Sequence, residues 1–290
     1  MPNDTLLAPL LALGGSCCFA FGLHFQKMGL RDASPRFGVL IVVTTSAMVF
    51  WIFSPFFLNT DYFFTQAFLI FAVIGLIRPA LSTTLATTGL KYLGPSLTSG
   101  LAGTTPIFSA LLAFVILGEI LSWGIAIGTA AVVLGLFYTA WRPGGVSQDW
   151  PFWALFLPLS AALIRSSGHA FTKFGFGEVP SPYFAMLVST TVSAIVLYAS
   201  FTVSGESVSK FRAHHLWFVL AGLSTTLAVT LTNFALFMGE LVRLQPIMAS
   251  TPVWTILISY FIFKNETLTP RTIITVLIIL SGVLCVILFG

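Results

Sequence analysis

Charge is what this chain has least of. Asp, Glu, Lys and Arg make up 8% of its residues, against about 25% in an ordinary soluble domain, while 57% are hydrophobic. Such a chain cannot cover itself with groups that water solvates, so its partner is the lipid bilayer and its structural unit is the apolar helix of about 20 residues. Acidic residues are missing from the apolar interiors: Asp4, Asp32, Asp61, Glu119, Asp149, Glu178, Glu206, Glu240 and Glu266 all stand in loops or near the ends of apolar stretches. Cysteine is rare as well. Cys17, Cys18 and Cys285 lie in apolar segments, with no CxxC pair and no histidine at metal-ligand spacing, which speaks against a disulfide framework or a zinc site. There is no HExxH, no aspartate-rich prenyl-diphosphate motif and no evident Ser, His and Asp arrangement, so neither an enzyme nor a cofactor is expected. Residues 1–6 carry no basic stretch, and the apolar run behind them is expected to be a first membrane helix, not a cleaved leader.

What the chain does have is periodic apolar length. Stretches set off by charge, Gly or Pro place helices at 6–26, 36–57, 66–90, 95–117 and 121–140, and then, beyond the polar segment 142–149, at 151–173, 182–203, 214–238, 242–263 and 270–289. The expected fold is all-α, with ten transmembrane helices in two sets of five, 1–144 and 145–290. The net charge of +4 comes from basic residues beside these stretches and reads as a topology signal, not a nucleic-acid patch.

The halves also match residue by residue. Displaced by 146 positions, Gly22, Phe25, Lys27 and Gly29 fall on Gly168, Phe171, Lys173 and Gly175, and Thr105-Pro106 falls on Thr251-Pro252. One residue of extra length then pairs Glu119 with Glu266 and Gly135 with Gly282. Because each half has an odd number of helices, the second must cross in the opposite sense from the first. That is an inverted repeat, an arrangement secondary transporters use, with the substrate near the midplane between the repeats. A channel would need a continuous polar lining or a repeated filter segment, and neither is visible.

Five helices twice, a Thr-Pro in the fourth helix of each half and an acidic residue at that helix's end (Gly118-Glu119, Asn265-Glu266) resemble the drug/metabolite transporter (DMT) superfamily. The chain is most similar to its EamA-type branch, and within that to the YddG-type aromatic amino acid exporters. The resemblance implies a basket of ten helices around a central cavity, alternating access, and export of small metabolites such as amino acids. A proton-coupled multidrug or other metabolite exporter of the same superfamily is the alternative it leaves.

Several residues are candidates for that work. Arg78 and Arg165 lie near the centres of apolar helices, where a charge costs several kcal/mol unless it meets a wet cavity or a partner. Their counterparts in the other half are Ser224 and Phe19, so neither has a basic mate and both break the symmetry. The structural alternative is that each bonds local carbonyls, which Pro79 would free beside Arg78. His169 follows Arg165 by four residues and so shares its helix face, which sets it above His24. Pro79, Pro106 and Pro252 are expected as hinges or helix breaks. Thr105, Thr251 and Asn233 are candidate polar contacts, and Phe108 and Trp254, at equivalent positions after the two prolines, are candidate stacking surfaces for an apolar or aromatic substrate. Gly124, Gly128 and Gly135 share one face of the fifth helix and predict close packing inside the chain, with dimerisation as the lesser possibility and a monomer expected.

Charge counting predicts topology. Lys27, Arg31, Arg36, Lys91, Arg142, Lys210, Arg212, Lys264 and Arg271 share one side, with only Lys173 and Arg243 opposite. The positive-inside rule then puts both termini outside the cytoplasm of a plasma (inner) membrane. With no carboxylate in mid-membrane as a proton or sodium relay, facilitated transport is expected, and a proton step at His169 is the alternative.

Overall fold

The computed structural model describes residues 4–30, 34–140, 151–203, 213–264 and 269–290. These form helices only: α1 (Asp4–Gly29), α2 (Pro35–Phe57), α3 (Gln66–Ala102), α4 (Thr105–Leu112), α5 (Trp123–Ala140), α6 (Phe156–Phe176), α7 (Pro182–Val203), α8 (Leu216–Met238), α9 (Leu241–Met248), α10 (Thr251–Phe261) and α11 (Pro270–Phe289), with short 3-10 and π turns between some of them. Starts are encoded locally. Ser34 and Thr269 accept the amides of Phe37 and Thr272, and each precedes a proline whose missing N–H is no loss in a first turn.

Eight helical stretches among the described residues are long and apolar enough to cross a membrane. The α6 stretch is not one of them, because Arg165, His169 and Lys173 dilute its apolar character. Phe56, Leu69, Leu134 and Leu277 are exposed, an outer surface suited to lipid rather than water.

Two boundaries differ from expectation. Helical hydrogen bonding continues through Pro79 and past Gly94-Pro95 to Ala102, so the separate helices expected at 66–90 and 95–117 are not divided there, and Pro79 does not end α3. A proline removes one donor, and the carbonyl it strands can be satisfied from elsewhere. Pro79 strands the Gly75 carbonyl, which Ser193 Oγ of α7 reaches at 2.8 Å. The interruptions fall instead at Gly103-Thr104, before Thr105-Pro106, and at Ala249-Ser250, before Thr251-Pro252. They are 146 residues apart, the displacement of the repeat.

Packing follows the same exchange. α1 lies on α8 as α6 lies on α3, α1 meets α10 as α6 meets α4, and α2 meets α8 as α7 meets α3, while α5 packs on α11 and α2 on α7. A Cβ at Gly128 would come 2.6 Å from the Gly282 carbonyl, and one at Gly282 would come 2.7 Å from the Gly128 carbonyl. Gly124 and Gly135 likewise face Phe289 and Ile279 of α11. The glycine face of α5 is thus spent inside the chain.

At the end of the bundle holding the start of α1, Glu119 is buried and its two carboxylate oxygens accept the amides of Leu241 and Val242 at 2.9 and 2.8 Å, capping α9. Lys173 Nζ, near the end of α6, is 3.7 Å from the same carboxylate and donates to the carbonyls of Leu236 and Gly239. Helix-end amides and an ammonium together compensate a carboxylate that would be costly alone.

Candidate functional site

The antiparallel pair α3 and α6 carries the densest charge in the apolar region. Arg165 and His169 stand one turn apart on α6, and between them Gly168 leaves a gap. The Arg78 side chain from α3 fills it: a Cβ at residue 168 would lie 2.5 Å from Arg78 Cδ. Crossing over that glycine, Arg78 brings Nη2 to 3.1 Å from His169 Nε2. Arg165 stands one turn before His169 on the same face of α6, and its Nε is buried with no hydrogen-bond partner among the described residues. No carboxylate of the described residues pairs with either arginine; Glu119, which meets the end of α6, is engaged by Lys173 and the α9 amides.

Chemistry fixes the roles in this cluster. A guanidinium has N–H donors and no acceptor, so His169 Nε2 must offer its lone pair and the neutral ring carries its proton on Nδ1. Two cations and a neutral imidazole, with no counter-charge among the described residues, form a site that an anion would complete. Beside Arg78 a cavity of about 310 Å³, lined by Leu69, Val73, Ile77, Ile164, Ser167 and Phe171, runs between α3 and α6. Its walls are apolar, and Leu69 and Val73 are exposed at its rim.

The remaining candidates divide between two places. Ser166, beside Arg165, donates to the Thr105 carbonyl at 2.9 Å, which ties the α4 break to the arginine cluster. The Thr105 hydroxyl donates to the Ala102 carbonyl at 2.7 Å, and the Thr251 hydroxyl to the Met248 carbonyl at 3.0 Å. In each case that is the carbonyl left without its amide by the proline, so these hydroxyls mend the backbone at Pro106 and Pro252. Asn233 is buried on α8 and its Nδ2 donates to the Val229 carbonyl at 2.8 Å. Phe108 and Trp254 are half-buried, and neither ring stacks on another aromatic among the described residues. Thr251, Trp254 and Asn233 belong to α10 and α8, which pack with α1, and no described contact joins them to the arginines. His24 is buried, with Nδ1 2.9 Å from the Ala20 carbonyl, Nε2 2.7 Å from Ser259 Oγ, and its ring stacked on Phe263. It is a satisfied packing histidine.

The EamA-like transporter model matches twice, at residues 6–141 and 152–288. The chain belongs to the EamA-like transporter family. It is thus a multi-pass membrane protein of a family that moves small molecules. A crystal structure of a protein 15% identical in sequence superposes on this EamA-like chain with a TM-score of 0.79, over 96% of this chain and 95% of the other. That likeness establishes a shared fold.

Sequence reasoning singled out Arg78, Arg165 and His169 but not Gly168 or Ser166 as parts of the same cluster. The repeated Gly22/Gly168 pair was the available signal for the first. The repeats Lys27/Lys173 and Glu119/Glu266 marked each member of the Glu119–Lys173 pair without joining the two; Glu266 lies outside the described residues.

Proposed function

We propose that this EamA-like protein carries small carboxylate-bearing metabolites, amino acids and especially aromatic ones, across the plasma (inner) membrane by alternating access, with Arg78 and Arg165 receiving the carboxylate. The observation that carries this reading is the Arg78 guanidinium seated on His169, with Arg165 one turn away on α6, its buried Nε unpartnered, and no acidic partner for either arginine among the described residues. A guanidinium suits a carboxylate because two parallel hydrogen bonds form at once. The YddG-type likeness supplies the aromatic side chain of the substrate, and the unstacked rings of Phe108 and Trp254 are where it would rest. Thr105, tied to α6 through Ser166, is the neutral polar group on this side, and Thr251 and Asn233 on α10 and α8 would meet the cargo from the other half. In this reading the chain crosses the membrane ten times, as two inverted halves, 1–144 and 145–290, with Pro106 and Pro252 marking matching hinges, and it acts as a monomer with both termini outside the cytoplasm. The paired packing of α1 on α8 and α6 on α3 supports the repeat. The test is counterflow in proteoliposomes with phenylalanine and phenylalanine amide. Arg78→Gln and Arg165→Gln are expected to weaken the acid against the amide by about tenfold or more, since hydrogen bonds to charged groups contribute roughly 1.5–3 kcal/mol. An unchanged ratio in folded variants assigns both arginines to structure.

The apolar cavity beside Arg78 favours a second reading, export of lipophilic drugs that enter between α3 and α6. It predicts that the amide and larger apolar amines compete better than the acid.

A further inference from the structure

We infer that His169 takes up one proton when an anionic group binds Arg78, so that proton and substrate travel together. This rests on the carboxylate site proposed above and names the ion that accompanies its cargo.

His169 Nε2 can do only one thing at a time. It receives an N–H of Arg78 at 3.1 Å, and because the guanidinium only donates, that nitrogen carries no proton. Protonating it would remove its lone pair, turn an N–H toward an N–H, and add a third cation beside Arg78 and Arg165. A carboxylate reverses each of these terms. It takes the Arg78 N–H, releases the Nε2 lone pair and brings a negative charge against which an imidazolium is stable. The balance is simple: one proton passes from water on the open side to Nε2, no covalent bond among heavy atoms changes, and the proton returns to water when the carboxylate leaves. Binding of either partner favours the other, by linkage.

Among the described residues the surroundings of His169 contain no rival for that proton. The elements packed on α6 are α3, α4, the π turn Ala113–Leu117, the 3-10 turn Phe152–Leu155, α8 and α9. α3 contributes Arg78, and its next titratable residues, Lys91 and Tyr92, come more than three helical turns later in sequence. α4, α8 and both turns contribute no titratable side chain. α9 contributes Arg243, whose Nη2 is bound to the Ile287 carbonyl at 2.9 Å. On α6 itself are Arg165 and Lys173, the latter paired with Glu119. The absence of an embedded carboxylate, which pointed to uncoupled facilitation, leaves His169 as the group whose protonation the substrate itself controls.

The probe is phenylalanine, with the full chain in liposomes that hold a trapped pH dye and are clamped at zero membrane potential. Phenylalanine influx in the wild type is expected to acidify the lumen, one proton per substrate. A pH gradient, alkaline inside, is then expected to drive accumulation of about tenfold per pH unit, the limit for one-to-one coupling. Phenylalanine exchange without lumenal acidification overturns the proton proposal and leaves the carboxylate site standing. No exchange at all, while phenylalanine amide is carried, overturns both. His169→Gln keeps an oxygen that accepts from Arg78 but cannot titrate. It is expected to exchange phenylalanine at a reduced rate and to accumulate none under a pH gradient, and accumulation equal to wild type would overturn the assignment to His169. The wild-type proton trace decides the matter even where this variant fails to fold.

Discussion

At the scale of single residues, Gly168 and Arg78 show how little room the site has. Gly168→Ala sets a methyl carbon 2.5 Å from Arg78 Cδ, and the side chain that must move is the one that reaches His169. Overpacking of this kind costs about 1–3 kcal/mol. The expected result is a lower melting temperature in detergent together with reduced selectivity for phenylalanine over its amide. Destabilisation with selectivity intact would mean that Arg78 reaches its place by another path. His24 makes the contrast: both its nitrogens are occupied and its ring is stacked, so its replacement is expected to lower stability and leave selectivity alone. Arg78, Arg165 and His169 were legible in the sequence because charge in an apolar helix is rare. Their meeting was not, since the bond joins α3 to α6 across 91 residues and depends on which helices pack together.

At the scale of elements, the informative feature is how proline is tolerated. Pro106 and Pro252 each strand one carbonyl, and a threonine hydroxyl immediately before them supplies the missing donor. Thr105→Val and Thr251→Val keep the shape and lose the bond. Each is expected to cost about 0.5–2 kcal/mol, as polar bonds in membranes do, with Thr→Ser restoring most of it, measured as thermal stability in detergent. A variant that keeps its stability but loses transport would return Thr105 or Thr251 to direct contact with substrate. Both interruptions fall just before the repeated Thr-Pro. Pro79 misled, because a proline announces only a missing donor. Whether the helix ends depends on what else can reach the stranded carbonyl, and Ser193 reaching Gly75 belongs to a helix that sequence alone could not place beside α3.

At the scale of the whole molecule, Glu119 joins the connection after α4 to the start of α9 and, through Lys173, to the end of α6. Three strands of the architecture meet on one carboxylate at one end of the bundle. Glu119→Gln keeps a single acceptor oxygen and loses the charge, and a buried charge-assisted contact contributes about 1.5–3 kcal/mol. In a background without Cys17, Cys18 and Cys285, a single cysteine placed at Leu241 is expected to react with a membrane-impermeant maleimide faster once Glu119 is Gln. Equal rates would show that this end is held shut by apolar packing.

The exchanged packing bears on how the protein is made. Two copies of one sequence family in tandem suggest two domains that could be completed in turn, yet α1 lies on α8 and α6 on α3, and Ser16 of α1 donates to the Met248 carbonyl of the later half at 3.2 Å. When a ribosome has finished residues 1–144, the apolar helix with the most to pack against still has no neighbour, because that neighbour has not been translated. The helices before residue 144 are thus expected to wait in lipid, with assembly a late event that follows synthesis of α6 and α8. Separate chains of 1–144 and 145–290, produced together in one cell, are therefore expected to find each other, and either chain alone to be degraded.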